Sequence, residues 1–192
     1  ILLNAPYVNM FDNTSNYTSL PSHSFSMSPE EFNDYCKTVQ NMPFSISHIN
    51  IRSLNKNLDN FKLFYQDIIK HDFSIIGLSE IWQISGDSIF SISDYNFEYT
   101  GRSSGRGGGV GAYIKANLKY DILNKQVCHS ESLWLKVLHD NKYIIIGILY
   151  RKPNTDISEF QESLVDVLYD CKIYSHDCIL MGDFNIDLHN AN

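Results

Sequence analysis

Between Asp94 and Tyr150 the chain offers one strand-like segment after another with no helix between them, and this stretch constrains the fold more than any other feature. Apolar alternation bounded by turn residues predicts strands at about 96 to 100, 109 to 115, 131 to 138 and 142 to 150. The glycine-punctuated segment Gly101 to Gly109 turns the chain between the first two. Parallel neighbours need long crossovers, normally helical, so an uninterrupted run of strands does not fit a simple alternating parallel fold. Helices stand outside the run. Leu58, Phe61, Phe64, Tyr65, Ile68 and Ile69 mark one helical face before it. Ile157, Phe160, Leu164, Val167, Leu168 and Cys171 mark another after it, behind Asp156 as the capping residue and Glu159 at the third position. Phe44 to Asn50 and Phe73 to Ser79 read as further strands, and a last apolar strand, Cys178 to Met181, runs into Gly182-Asp183. This order predicts an α/β fold of two sheets packed face to face with helices outside.

Residues 1 to about 27 are rich in Asn, Ser and Thr and carry Pro6 and Pro21, the composition of a flexible lead-in. Ser28-Pro29-Glu30-Glu31 then supplies a capping hydroxyl, a proline at the first helical position and a glutamate three residues on, so a short helix is expected at about 28–40. The division is therefore a lead-in of 1–43 and one main domain of 44–192. A chain of 192 residues with 43% hydrophobic content is long enough for such a domain. The longest apolar run, Tyr143 to Tyr150, falls far short of a membrane span, and the absence of a leader-like opening argues for an intracellular protein, nuclear or cytoplasmic. Because Ile1 opens the chain, it reads as a piece of something longer.

Cys36, Cys128, Cys171 and Cys178 lack zinc-type spacing and read as reduced, mostly buried thiols. A net charge of −7 argues against a broad basic face for nucleic acid, yet does not exclude a phosphate substrate, because a bound cation reverses the local field.

The chemistry is suggested by how the strands end. Asn50, Glu80, Tyr150 and Asp183 with Asn185 each follow an apolar strand, where a core has no use for them. If these ends converge on one edge of the sandwich, they gather two carboxylates, two carboxamides and a phenol. Such a group suits a hard, oxygen-seeking cation such as Mg²⁺, with Mn²⁺ as its substitute.

These residues also carry a resemblance. His48-Ile49-Asn50-Ile51-Arg52-Ser53-Leu54, Ile76-Gly77-Leu78-Ser79-Glu80-Ile81-Trp82, Arg106-Gly107-Gly108-Gly109-Val110, Tyr150-Arg151-Lys152-Pro153 and Gly182-Asp183-Phe184-Asn185 resemble, in that order, motifs of the endonuclease/exonuclease/phosphatase (DNase I-like) superfamily. Within it they are most similar to the endonuclease domain that precedes reverse transcriptase in non-LTR retrotransposons. The resemblance covers about residues 44 to 192. It implies that Glu80 is the direct metal ligand and that Asn50 helps position the metal. It further implies that Asp183 orients or deprotonates the attacking water, that Asn185 holds the scissile phosphate, and that Tyr150 donates to a phosphate oxygen. Arg151, Lys152 and Arg106 are the next candidates for phosphate contact. DNA is the implied substrate and a downstream reverse transcriptase the implied neighbour.

Family members continue with a further aspartate and a terminal Ser-Asp-His signature, which these 192 residues do not contain. The sandwich is accordingly expected to be incomplete at its C-terminus, and the polypeptide alone to be inactive. Two rivals remain: the same fold acting on a phosphoinositide or sphingolipid phosphodiester, and a non-enzymatic remnant. Each site residue also has a plain structural counterpart. Glu80 could be a solvated strand end, Asp183 with Asn185 an Asx turn, Asn50 a cap, and Tyr150 a core residue. Gly107 to Gly109 read better as a turn than as a phosphate cradle, and Trp82 and Trp134 as core.

Overall fold

The computed structural model describes residues 27–38, 44–84, 90–101, 107–173 and 175–186. The first helix, α1 (Pro29–Thr38), opens as its sequence requires. The Glu31 backbone N–H donates to Ser28 Oγ at 3.2 Å, and the Ser28 N–H donates to Glu31 Oε2 at 2.7 Å, a closed capping box. Phe32 is its buried anchor, stacked on Phe73 at 5.9 Å between ring centroids.

Strand β1 (Ile46–Asn50) leads into α2 (Leu54–Lys62), whose last turns widen into a π-helical segment, Leu63–Ile68. The apolar spacing predicts one continuous helix here. The wider turn still buries Tyr65 while turning Leu63 and Ile68 outward, 51% and 40% exposed. Strands β2 (Ile75–Ser79), β3 (Tyr95–Thr100) and β4 (Val110–Lys115) complete a first sheet in the order β1-β2-β4-β3. β1 and β2 are parallel, bridged by α2, and β3 and β4 form the hairpin whose tip carries the glycines.

The second sheet contains β5 (Lys119–Leu123), β6 (Ser130–His139), β7 (Lys142–Arg151) and β8 (Asp177–Asp183), in that order. β6 and β7 are antiparallel, and β8 returns parallel to β7 by way of α3 (Ile157–Asp170). Strand β5 is absent from the sequence reading because Lys119, Tyr120 and Asp121 interrupt the apolar pattern. It is an edge strand, and Ile122 is 52% exposed. In α3 the expected cap is present, with the Glu159 N–H donating to Asp156 Oδ1 at 3.0 Å. Ile157 departs from the expected core face and is 41% exposed, while Phe160, Val167 and Cys171 are buried.

Two sheets packed face to face with helices outside are thus the observed architecture, as the strand order predicts. The apolar layer between them contains Ile75, Ala112, Ile114, Leu135, Ile146 and Ile148, all buried. α2 covers the outer face of the first sheet through Leu54, Leu58 and Phe61. α3 covers the second through Phe160 and Val167, against Trp134 and Leu149. Burying each large side chain stabilises the fold by about 1.5–3 kcal/mol, so these layers hold the strand ends in place. Trp134 is core, as expected, and Trp82 is half-buried beside the Glu80 turn. Among the described residues no helix is long and apolar enough to cross a membrane.

Candidate active site

Four strand ends meet at one edge of the sandwich, β1 and β2 from the first sheet and β7 and β8 from the second. Parallel pairing aligns β1 with β2 so that Asn50 sits opposite Ser79, one residue before Glu80. Parallel pairing of β7 with β8 likewise sets Tyr150 opposite Asp183.

The Glu80 turn is fastened on both sides. Ser53 donates its N–H to Glu80 O at 2.7 Å, and Leu54 donates to Ile81 O at 3.1 Å. On the other side Ile81 N and Trp82 N donate to Gly109 O and Gly108 O, at 3.3 and 2.9 Å. Glu80 itself takes a left-handed backbone, φ 54°, which a non-glycine residue accepts only at a cost of about 1–2 kcal/mol. At the end of β8, Gly182 has φ 151°, and a Cβ there would overlap the carbonyl of Leu149. Only glycine lets β8 approach β7 this closely, and that approach delivers Asp183.

The side chains converge on Asn50. Its Nδ2 donates to Glu80 Oε1 at 3.1 Å and to Asp183 Oδ2 at 2.8 Å. Its Oδ1 accepts from the Arg52 backbone N–H at 3.3 Å, which aims the NH₂ group at the two carboxylates. One carboxamide therefore spans both sheets and holds two acids together.

Asp183 also forms the Asx turn that is its structural counterpart, accepting at Oδ1 from the Asn185 N–H at 3.2 Å. The turn and the contact to Asn50 use different oxygens and coexist. Asn185, at φ 48°, donates from Nδ2 to Arg151 O at 2.7 Å. Tyr150 is 6% exposed, with Glu131 of β6 across from it and its hydroxyl toward Gly107. Beside Asp183 and Asn185 lies an open hollow of about 650 Å³, lined also by Pro153, Asn154 and Ile186.

The remaining phosphate candidates fare differently. Arg151 is 3% exposed, and its guanidinium donates to Lys152 O, Thr155 O, Thr155 Oγ1 and Asn185 O at 2.9–3.2 Å. It also lies over the Phe160 ring at 6.0 Å. Its Nη1 and Nη2 thus brace its own turn and Asn185, while its Nε is buried without a partner among the described residues. Lys152 is exposed, next to the hollow's rim at Pro153. Arg106 lies outside the described residues.

Two features escape the sequence. His48, two residues before Asn50, encloses its Nε2 without a partner, and burial pushes its pKa down to about 4. Cys128, His129 and Glu159 come together on the surface although their spacing suggests no metal motif, and Cys128 is exposed rather than buried.

The endonuclease/exonuclease/phosphatase family pattern matches residues 47–191, most of the chain and every strand end of the site. The chain belongs to this family. No curated protein matches the sequence. Solved structures share its fold at low identity. An endonuclease/exonuclease/phosphatase family protein from Leptotrichia buccalis is 14% identical, with a TM-score of 0.55 over 76% of this chain and 69% of that one. D. rerio TDP2, complexed with a single-strand DNA product, is 16% identical, with a TM-score of 0.50 over 77% and 62%. The mannosyl-6-phosphatase Bt3783 of Bacteroides thetaiotaomicron is 18% identical, with a TM-score of 0.51 over 76% and 67%. The chain thus spans about two thirds of the length of these structures.

The two carboxylates that meet at this edge offer hard oxygen ligands of the kind that divalent cations take.

Proposed function

We propose that residues 44–192 carry the fold and much of the site of a metal-dependent phosphodiesterase that nicks DNA, the endonuclease of a non-LTR retrotransposon acting inside the cell ahead of a reverse transcriptase, and that these 192 residues alone are inactive. The observation that carries the reading is the Asn50 carboxamide shared by Glu80 and Asp183, which brings two acids from separate sheets to one point. Uncompensated, two carboxylates so close repel each other, an arrangement that serves cation binding and the handling of a water proton better than it serves stability.

In this reading Glu80 would hold Mg²⁺, with Mn²⁺ able to replace it, and Asn50 would join it through Oδ1 once the carboxamide turns its oxygen toward Glu80; when bound, the ion would neutralise phosphate charge and ease deprotonation of water. Asp183 accepts the proton of the attacking water, its second oxygen being fixed by the Asn185 N–H. Asn185 keeps one amide proton for a phosphate oxygen while the other is held by Arg151 O. Tyr150, on the same face as Asp183, donates to a phosphate oxygen whose charge grows in the transition state. DNA as substrate draws support from the order of the five motifs and from the DNA product held by the TDP2 neighbour. The sugar-phosphatase neighbour favours a second reading, a smaller phosphate ester.

Mn²⁺ titration of the 192-residue chain, followed by paramagnetic water relaxation, tests the site. Glu80→Gln is expected to weaken binding at least about tenfold with the melting temperature retained. Unchanged affinity in Glu80→Gln would overturn the reading. Competition of a DNA duplex, a phosphoinositide and a sugar phosphate for binding to the Mn²⁺-loaded chain separates the substrate classes.

A further inference from the structure

We infer that Cys128, His129 and Glu159 form a second metal site, for a thiophilic transition ion of the zinc class, separate from the carboxylate pair. Their ligand atoms all lie within 4.8 Å of one another, and this is the only such group of three among the described residues. His129 Nε2 already lies 2.6 Å from Glu159 Oε2. A tetrahedral ion with sulfur at about 2.3 Å and nitrogen and oxygen at about 2.0 Å sets its ligands about 3.3–3.6 Å apart. The three side chains reach that spacing by small rotations that open the His–Glu hydrogen bond.

The backbone that presents them is fixed from three directions. Cys128 donates its N–H to Ser163 Oγ on α3 at 2.9 Å. His129 O accepts from the Lys152 N–H at 2.9 Å, beyond the end of β7. Ser130 closes the turn by donating both its N–H and its hydroxyl to Val127 O, at 3.2 and 2.8 Å. His129 adopts φ 56°, the left-handed bend that lets adjacent residues present side chains to one ion. Glu159 comes from the first turn of α3, and His129 and Glu159 remain 31% and 64% exposed, so an ion has access.

Thiolate, imidazole and carboxylate make a mixed borderline-soft set that favours Zn²⁺ or Co²⁺ over Mg²⁺ and leaves the fourth position for water or an external ligand. The bound ion would tie the start of β6 to α3. Ser130 and Glu131 pair with Arg151 and Tyr150, so this is the part of the second sheet that carries the active-site tyrosine.

Co²⁺ titration of the full chain in excess Mg²⁺ tests the assignment. The expected result is one equivalent of Co²⁺ bound with a thiolate-to-cobalt charge-transfer band and intense tetrahedral d–d bands. Cys128→Ser should abolish the charge-transfer band, and Glu159→Ala should weaken binding by about 100-fold, with cooperative melting of both metal-free variants retained. Zn²⁺ at a hundredfold excess over Kd should raise the melting temperature of the unmodified chain by roughly 5 °C or more, and that of Cys128→Ser by far less. No charge-transfer band in the unmodified chain, or a band that survives Cys128→Ser, overturns the proposal. Glu80→Gln leaves this band intact if the two sites are separate, so failure here is distinct from failure of the carboxylate pair.

Discussion

Asn50 and Asp183 lie 133 positions apart and meet at 2.8 Å, a side-chain bond that fastens the end of one sheet to the end of the other. Asn50 gives the same nitrogen to Glu80, so the carboxamide acts as the fixed centre around which the acids are arranged.

Replacing that centre should show its cost. Asn50→Ala removes both charge-assisted bonds and leaves Glu80 and Asp183 facing each other, an expected loss of about 1.5–3 kcal/mol at neutral pH. Millimolar Mg²⁺ should stabilise the variant less than the parent, because Asn50 helps hold the ion. Urea melts with and without Mg²⁺ measure both; equal Mg²⁺ responses would show that Asn50 plays no part in holding it.

Gly182→Ala is expected to be among the most damaging single changes in the chain. The added methyl overlaps Leu149 O, and β8 must retreat from β7. A destabilisation above about 3 kcal/mol should appear as a large fall in urea midpoint or as failure to accumulate folded protein.

Arg151 should behave as a structural residue. Arg151→Ala removes four hydrogen bonds and vacates a buried position over Phe160, which is expected to cost about 3 kcal/mol. Arg151→Lys should recover little of this, because an ammonium cannot span Thr155 and Asn185 together. Thermal melts of both variants provide the comparison.

His48 predicts a pH dependence. Its folded pKa is depressed to about 4 from 6.5 by burial, so protonation favours the unfolded chain. The stabilisation is fully present above pH 6.5 and is lost as pH falls toward 4, by roughly 2–3 kcal/mol. His48→Leu should flatten this slope in unfolding free energies measured at pH 7, 6, 5 and 4.

Much of this was legible in the sequence where one local rule decided the outcome. Ser28 and Glu31 announce the first helix, Asp156 and Glu159 the last, and the strand run from Asp94 to Tyr150 predicts the sandwich. Legibility ended where tertiary context took over. The spacing of Phe61, Tyr65 and Ile69 suits an α-helix, and nothing in it distinguishes the π-helical turns at Leu63–Ile68. Arg151 follows Tyr150 in a motif rich in cations, and only the folded turn of residues 151–155 reveals that its donors face inward. Cys128 and Glu159 come together only because α3 docks beside the start of β6.

Glu80 and Asn185 both occupy left-handed backbone, where glycine would sit more comfortably. Glu80→Gly would relax the bend but would also remove the carboxylate that accepts from Asn50 Nδ2. Strain in the backbone at Glu80 and the bond of its side chain to Asn50 are therefore coupled, and relieving the one gives up the other.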